Sequence, residues 1–353
     1  MYDFTRLNIL LVEDNSFVRN TLVELLRSYD IERITAVANG QEAIEYLKSM
    51  NIARQFGPDI IISDLVMSPI NGLLLLRWTR TAKDSPNRMV PFMMLSGAAD
   101  RDYVHSCRDL GASEFLSKPF SATSVYERLL EIIDYPRQFV TTQKYFGPDR
   151  RRKKEAVLTS QGEHREKDED NVIVVYSADK VVKPKTPSDV WYWRLSNTLQ
   201  EKVSGGAGPG AKGEVPANLI EQAEKQLERA ALDFTTWAKD YLTKLSKICT
   251  DALEIDAEGG RSAMFAEIHT LALELRGQGG TFGYPLISKF GKMLFDCTGD
   301  GCVEDNSAVE IVQCHIDAMR AVIRDKVSGD GGDAGRMLLR HLKESVEKRK
   351  IVA

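Results

Sequence analysis

The sequence has little that would tie it to an oxidising compartment or to a membrane. Only five cysteines occur in 353 residues, at Cys107, Cys249, Cys297, Cys302 and Cys314, with no Cys-x-x-Cys pair. An odd number of scattered thiols excludes a disulfide framework and points to a reducing compartment. Cys297, Cys302, Cys314 and His315 are irregularly spaced for zinc and read better as helix-packing side chains. No apolar run approaches the roughly 20 residues of a membrane span. Nor does the N-terminus show a basic segment followed by a long apolar core. An excess of positive charge is missing too: the net charge is −4, which argues against wholesale nucleic-acid binding. What remains, 43% hydrophobic and 28% charged residues, suits cytoplasmic globular domains joined by polar linkers. The length predicts two such domains.

The first domain is organised around Pro58-Asp59-Ile60-Ile61-Ile62-Ser63-Asp64. A short apolar run after a Gly-Pro signal predicts a buried parallel strand, with Asp64 at its carboxyl end. Open α/β sheets bind their ligands at that end. The same alternation predicts strands at Leu7–Val12, Arg33–Ala38, Pro91–Leu95 and Glu114–Ser117. Helices are predicted from Ser16, as cap, to Tyr29, and over Gln41–Met50, Leu73–Arg80, Arg101–Leu110 and Ser121–Ile133. Five strands alternating with five helices predict a doubly wound, five-stranded parallel α/β sheet over residues 1–135. Glu13 and Asp14, Asp64, Ser96 and Lys118 all follow strand ends and can converge on one mouth of the sheet. Three adjacent carboxylates repel unless a cation joins them. Mg²⁺, a hard cation served by oxygen ligands, answers that need. With Lys118 and the Ser96 hydroxyl, such a pocket stabilises a phosphoryl group on a carboxylate, Asp64 being the nucleophile.

These residues, together with Met67, Asn71-Gly72, Gly97-Ala98, Phe115 and Pro119, stand in an order and spacing that resembles the receiver domain of two-component response regulators. The resemblance implies that Asp64 accepts phosphate from a sensor histidine kinase. It implies that Glu13, Asp14, Asp64 and the backbone carbonyl of Val66 bind Mg²⁺, and that Ser96 and Lys118 contact the phosphate. Phe115 would be the aromatic that turns inward as Ser96 moves, though an aromatic in a strand also reads as plain core. Lys118-Pro119 would be cis. Val66 and Ala98 lie beside the pocket, where side chains tune dephosphorylation.

Residues 136–215 read as a linker. Arg150 to Lys154 is a basic run. It reads as a solvated stretch with an arginine latch onto nearby acids; the alternative is an anionic partner, including a nucleic-acid regulator's contact. Val172 to Tyr176 is a short β-prone run. Ser188 is expected to start a short helix that includes Trp191, Tyr192 and Trp193, and Gly205 to Gly213 is a flexible spacer.

Residues 216–328 carry four amphipathic patterns: to about Ile255, Arg261–Arg276, Leu286–Phe295 and Asn306–Lys326. They predict an all-α four-helix bundle. The stretch Leu275-Arg276-Gly277-Gln278-Gly279-Gly280-Thr281-Phe282-Gly283-Tyr284-Pro285-Leu286 resembles the histidine phosphotransfer (Hpt) family, where glycines leave room for a partner. In that family a phosphorylated histidine lies four residues before the first glycine. Here that position is Leu273, which cannot be phosphorylated. At about 100° per residue, Ile268, Ala272 and Leu275 share the core face, Leu273 points away, and His269 lies on the flank beside Arg276. The resemblance therefore implies a degenerate, binding or dimerising bundle; the alternative is a phosphorelay protein using His269. His315 reads as a packing residue. Ser328 to Gly335 is expected to be flexible, and residues 329–353 form a tail with a short basic helix. The whole reads as a response regulator without a catalytic output domain, signalling by protein–protein contact.

Overall fold

The computed structural model describes residues 2–53, 57–96, 101–150, 172–175, 184–186, 189–205, 212–255, 260–299 and 301–352. The chain divides into two compact units, the first drawn mostly from residues up to 221 and the second mostly from those after it.

After a 3-10 turn at Phe4–Arg6, the first unit alternates strand and helix. The order is β1 (Asn8–Val12), α1 (Ser16–Arg27), β2 (Arg33–Val37), α2 (Gly40–Ile52), β3 (Ile60–Asp64), α3 (Gly72–Thr81), β4 (Phe92–Ser96), α4 (Arg101–Leu110), β5 (Glu114–Ser117) and α5 (Ala122–Asp134). The sheet order is β2-β1-β3-β4-β5, and β1 runs parallel to both β2 and β3. The doubly wound fold expected from the pattern is present. Strands β3 and β4 are buried along their whole length, as a sheet covered on both faces requires. The chain moves outward in opposite directions from β1 and β3, so the crevice of the sheet opens between their carboxyl ends. Helix α1 is capped by Asn15 and not by Ser16, which is already helical: the Asn15 side chain accepts from the Phe17 and Val18 amides. Asn39 and Asn71 cap α2 and α3 in the same way, and the Glu42 carboxylate reaches back to the Ala38 amide at 2.9 Å.

The expected linker contains a second sheet. Strands β6 (Phe139–Thr141), β7 (Phe146–Pro148), β8 (Val172–Val175) and β9 (Val190–Trp193) lie in the order β7-β6-β9-β8. Trp191 to Trp193 are thus in a strand, not the helix expected from Ser188. Val-Trp-Tyr-Trp is a β-prone run, and pairing with β6 on one side and β8 on the other satisfies its backbone. Its core is Phe139, Val175 and Trp193, with Met89 and Phe146 packed on it. Trp193 donates its indole N–H to the Thr141 hydroxyl at 2.7 Å.

Arginines fasten this sheet to the α/β layer. Arg80, 1% exposed, donates to the carbonyls of Gly111 (3.0 Å), Arg88 (2.8 Å) and Val90 (2.8 Å). Its guanidinium stacks 5.2 Å from the Phe139 ring centre. Arg88 covers Phe146 at 4.1 Å, and Arg150 covers Tyr145 at 4.1 Å. The chain then returns along α5. Asn197 caps the short helix α6 (Thr198–Val203) and donates to the Ile133 carbonyl at 2.6 Å. Lys202 pairs with Asp59 at 2.6 Å, Asp3 donates its amide to Val203, and Asp134 accepts from both the Tyr2 hydroxyl and the Gly213 amide.

The second unit is helical: α7 (Ala217–Glu254), α8 (Ser262–Gln278), α9 (Pro285–Cys297), α10 (Asn306–Arg324) and α11 (Gly332–Val352). Phe234 stacks on Phe282 and Tyr284 at 5.2 and 5.5 Å. Helices α8 and α9 approach at backbone distance. A Cβ on Gly291 would lie 2.6 Å from the Arg276 amide nitrogen, and one on Gly279 2.7 Å from that of Ser288. These glycines make room for the chain's own helix. Helix α11 begins at Gly332, inside the stretch expected to be flexible, and is longer than the predicted tail helix. Leu342 is buried, and Arg349 reaches Glu310 of α10 at 3.0 Å. Among the described residues no helix is long and apolar enough to cross a membrane.

Candidate functional site

The turn after β1 carries Glu13 and Asp14, and β3 ends in Asp64. Register pairs Val12 with Ser63, so the residues that follow lie side by side at the crevice. Carboxylate oxygens of Glu13, Asp14 and Asp64 all lie within 4.8 Å of one another. Glu13 and Asp64 are buried, at 0% and 2% exposed, while Asp14 is open to solvent. Two buried carboxylates and one exposed one, so close together, form an all-oxygen donor set that fits a hard divalent ion with room left for water. It is the one such cluster among the described residues.

Backbone contacts fix the trio. Arg19 of α1 donates to the carbonyls of Glu13 (2.7 Å) and Asp14 (3.2 Å) and so holds the turn. Nothing in the sequence singled out this arginine. The Leu65 amide bonds to the Leu95 carbonyl and the Gly72 amide to the Leu65 carbonyl, which tie the end of β3 to β4 and to the start of α3. Gly72 is seated so close that a Cβ there would lie 2.2 Å from the Asp64 carbonyl oxygen and 2.8 Å from the Met94 sulfur. The Asn-Gly pair that signalled a turn therefore also marks a close approach.

Ser96 closes β4 and is buried, one residue beyond the Leu95 that pairs with Asp64. Lys118 directly follows β5, is 5% exposed, and joins Pro119 through a cis peptide. Phe115 is half-buried and packs against the core that contains Phe92 and Met94. Val66 is half-buried two residues past Asp64. Ala98 lies outside the described residues.

In the helical unit Leu273 is 9% exposed, against the expectation that it points outward. Leu271, Ala272, Leu273 and Leu275 are all buried; a helix apolar on more than one side is covered on more than one side. His269 is half-buried, its Nδ1 lies 3.2 Å from the Thr298 hydroxyl, and its ring stacks on Phe295 at 3.9 Å. Arg276 stands over the same ring at 5.3 Å. His315 is buried with Nδ1 2.8 Å from the Ile311 carbonyl, the packing role expected for it. Arg150 latches onto Asp109, at 3.1 Å to its carbonyl and 3.5 Å to its carboxylate; residues 151–154 lie outside the described residues.

All five cysteines are free thiols. Burial pushes Cys107 and Cys249 up to about 11. Both stay protonated at neutral pH and are poor nucleophiles. Iodoacetamide at pH 8 is expected to label Cys302 while sparing Cys107 and Cys249 until the chain is unfolded in urea. Peptide mapping that found Cys107 alkylated in the native protein would contradict its burial.

A family model described as the response regulator receiver domain matches residues 9–130. A transcriptional regulatory protein of Mycobacterium tuberculosis, PdtaR, is 31% identical over 117 residues, which span 33% of this chain and 52% of that protein. A protein-glutamate methylesterase/protein-glutamine glutaminase of Bacillus licheniformis is 30% identical over 120 residues, 34% of this chain and 31% of that one. The chain thus spans about half or less of the length of these curated relatives. Among solved structures, the receiver domain of the Pseudomonas aeruginosa sensor histidine kinase PA1611, with a magnesium ion in its active-site cleft, is 30% identical. The match covers 35% of this chain and 94% of that one, with a TM-score of 0.30. Chemotaxis protein CheY4 of Vibrio cholerae is 23% identical and covers 36% of this chain and 98% of that one, with a TM-score of 0.31.

Proposed function

We propose, from the premise that residues 9–130 are a response regulator receiver domain, that Asp64 accepts a phosphoryl group from the phosphohistidine of a sensor kinase. The observation that carries this reading is the carboxylate trio within 4.8 Å, one member of which ends β3. Glu13, Asp14, Asp64 and the Val66 carbonyl would hold Mg²⁺, whose charge offsets that of the phosphoryl oxygens. An Asp64 oxygen attacks phosphorus in line, the P–N bond to the kinase imidazole breaks, and the ring leaves with its electron pair and takes a proton. Lys118 supplies an ammonium, and Ser96 a hydroxyl, to the equatorial oxygens. Phe115, anchored in the core beside β4, turns inward with Ser96 and passes the change to the neighbouring surface. The helical unit would be a pseudo-phosphotransfer bundle that binds a signalling partner or a second copy. A buried leucine at position 273 offers no nucleophile, and His269, stacked on Phe295 with Nδ1 beside the Thr298 hydroxyl, would serve as a structural residue.

The test is labelling of the full chain with a small-molecule phosphodonor and Mg²⁺. One hydroxylamine-labile phosphate is expected, absent in Asp64→Asn, absent in EDTA and unchanged in His269→Ala. Labelling that survives Asp64→Asn would sink the assignment. An alkali-stable fraction that disappears in His269→Ala would replace the binding bundle with a working relay.

A further inference from the structure

Helices α7 and α10 border a half-open groove of about 370 Å³ on the helical unit, lined by Thr235, Leu242 and Ile323 and by the exposed Lys239, Arg320, Arg324 and Lys326. Its volume lies within the roughly 300–1,000 Å³ typical of small-molecule sites. Leu242 and Ile323 are buried and form an apolar floor. The rim carries four cations and no lining acid. Like charges gathered around one concavity repel, and the arrangement is relieved only by solvent or by an anion.

A structural account covers part of the cluster. Arg324 ends α10, where the helix dipole favours a cation, and it forks onto the exposed Asp325 at 2.7 and 2.9 Å. Arg320 stands 3.8 Å from exposed Asp317. Exposed pairs of this kind are weak, about 0–1 kcal/mol, and yield to a doubly charged ligand. Lys239 and Lys326 are not explained in that way. Lys239 projects from a different helix, Lys326 lies past the end of α10 in a positive-φ conformation, and neither has an ion pair among the described residues.

We infer that this groove binds a small organic phosphate, its apolar body on Leu242 and Ile323 and its phosphate between Lys239 and the α10 terminus. The site is separate from the carboxylate trio, and the inference does not rest on phosphorylation of Asp64.

The probe is adenosine monophosphate titrated calorimetrically into the full chain. EDTA is present, because the acidic trio then repels anions and contributes no binding. Saturable one-to-one binding is expected. Adenosine, which lacks the charge, and inorganic phosphate, which lacks the apolar body, should each bind about tenfold more weakly or worse. Lys239→Glu and Lys326→Glu should each reduce affinity by about tenfold, with Lys239→Gln intermediate and the helical circular dichroism unchanged. The inference fails if binding does not saturate, or if both charge reversals bind like the parent. It also fails if an oligonucleotide displaces the probe equally well per phosphate, which would make the cluster a general cationic face.

Discussion

Arg80→Ala is expected to lower the stability of the first unit by about 4 kcal/mol, read as a fall in the urea midpoint. That is a large part of the roughly 5–15 kcal/mol by which a domain is stable. The guanidinium gathers three carbonyls from two loops, Arg88 and Val90 ahead of β4 and Gly111 ahead of β5. Its far face covers Phe139 of β6. Removing it leaves buried acceptors without their donor, at about 1–3 kcal/mol each where no other donor replaces it, and opens a void under the second sheet. Among the described residues Arg80 has no ion pair with a carboxylate. Burial pushes it down to about 9, with Tyr145 opposing and Arg88 adding to the shift, so it is charged at neutral pH. Arg80→Met keeps the stem against Phe139 and should lose less than alanine. A parent-like midpoint for Arg80→Ala would show that the second sheet holds without it.

Gly72→Ala is expected to cost about 3 kcal/mol and to slow the phosphorylation proposed for Asp64 by more than the stability loss accounts for. The added carbon would fall 2.2 Å from the Asp64 carbonyl oxygen and 3.1 Å from its carbon. Those atoms belong to the backbone of a central strand and cannot rotate aside. Either α3 lifts, breaking the Gly72–Leu65 hydrogen bond, or the end of β3 moves and takes the carboxylate out of the trio. A change of a few tenths of an ångström in an attacking oxygen is felt strongly in rate. Urea denaturation and phosphodonor labelling of the folded fraction separate the two effects. Normal labelling in a destabilised but folded variant would mean that α3, not the strand, gives way.

The α/β layer of the first unit was legible because its signals are local and periodic: apolar runs of strand length, each followed by polar residues at the carboxyl end. Asp64, Glu13 and Asp14 could be placed together because parallel topology leaves strand ends no other place to go. Arg19 and Arg80 were not legible, since each acts on backbone carbonyls that any residue could supply. Strand β9 was missed because four residues are too few to show a period, and pairing with β6, fifty positions away, decides its state. Leu273 was misplaced by a helical wheel that assumes one covered face. Gly279 was visible within its glycine-rich stretch, but only the structure shows that it meets the backbone of Ser288 in its own chain; Gly291, which meets the Arg276 backbone, carried no signal.

The return of the chain along α5 gives the first unit a property that a bead on a string lacks. Val203 accepts from the Asp3 amide, and Tyr2 and Gly213 meet on Asp134, so the strand of chain leaving the unit lies beside the one that enters it. A body with adjacent points of entry and exit can sit within a loop of another protein, or have its ends joined and be opened elsewhere, without straining its sheet.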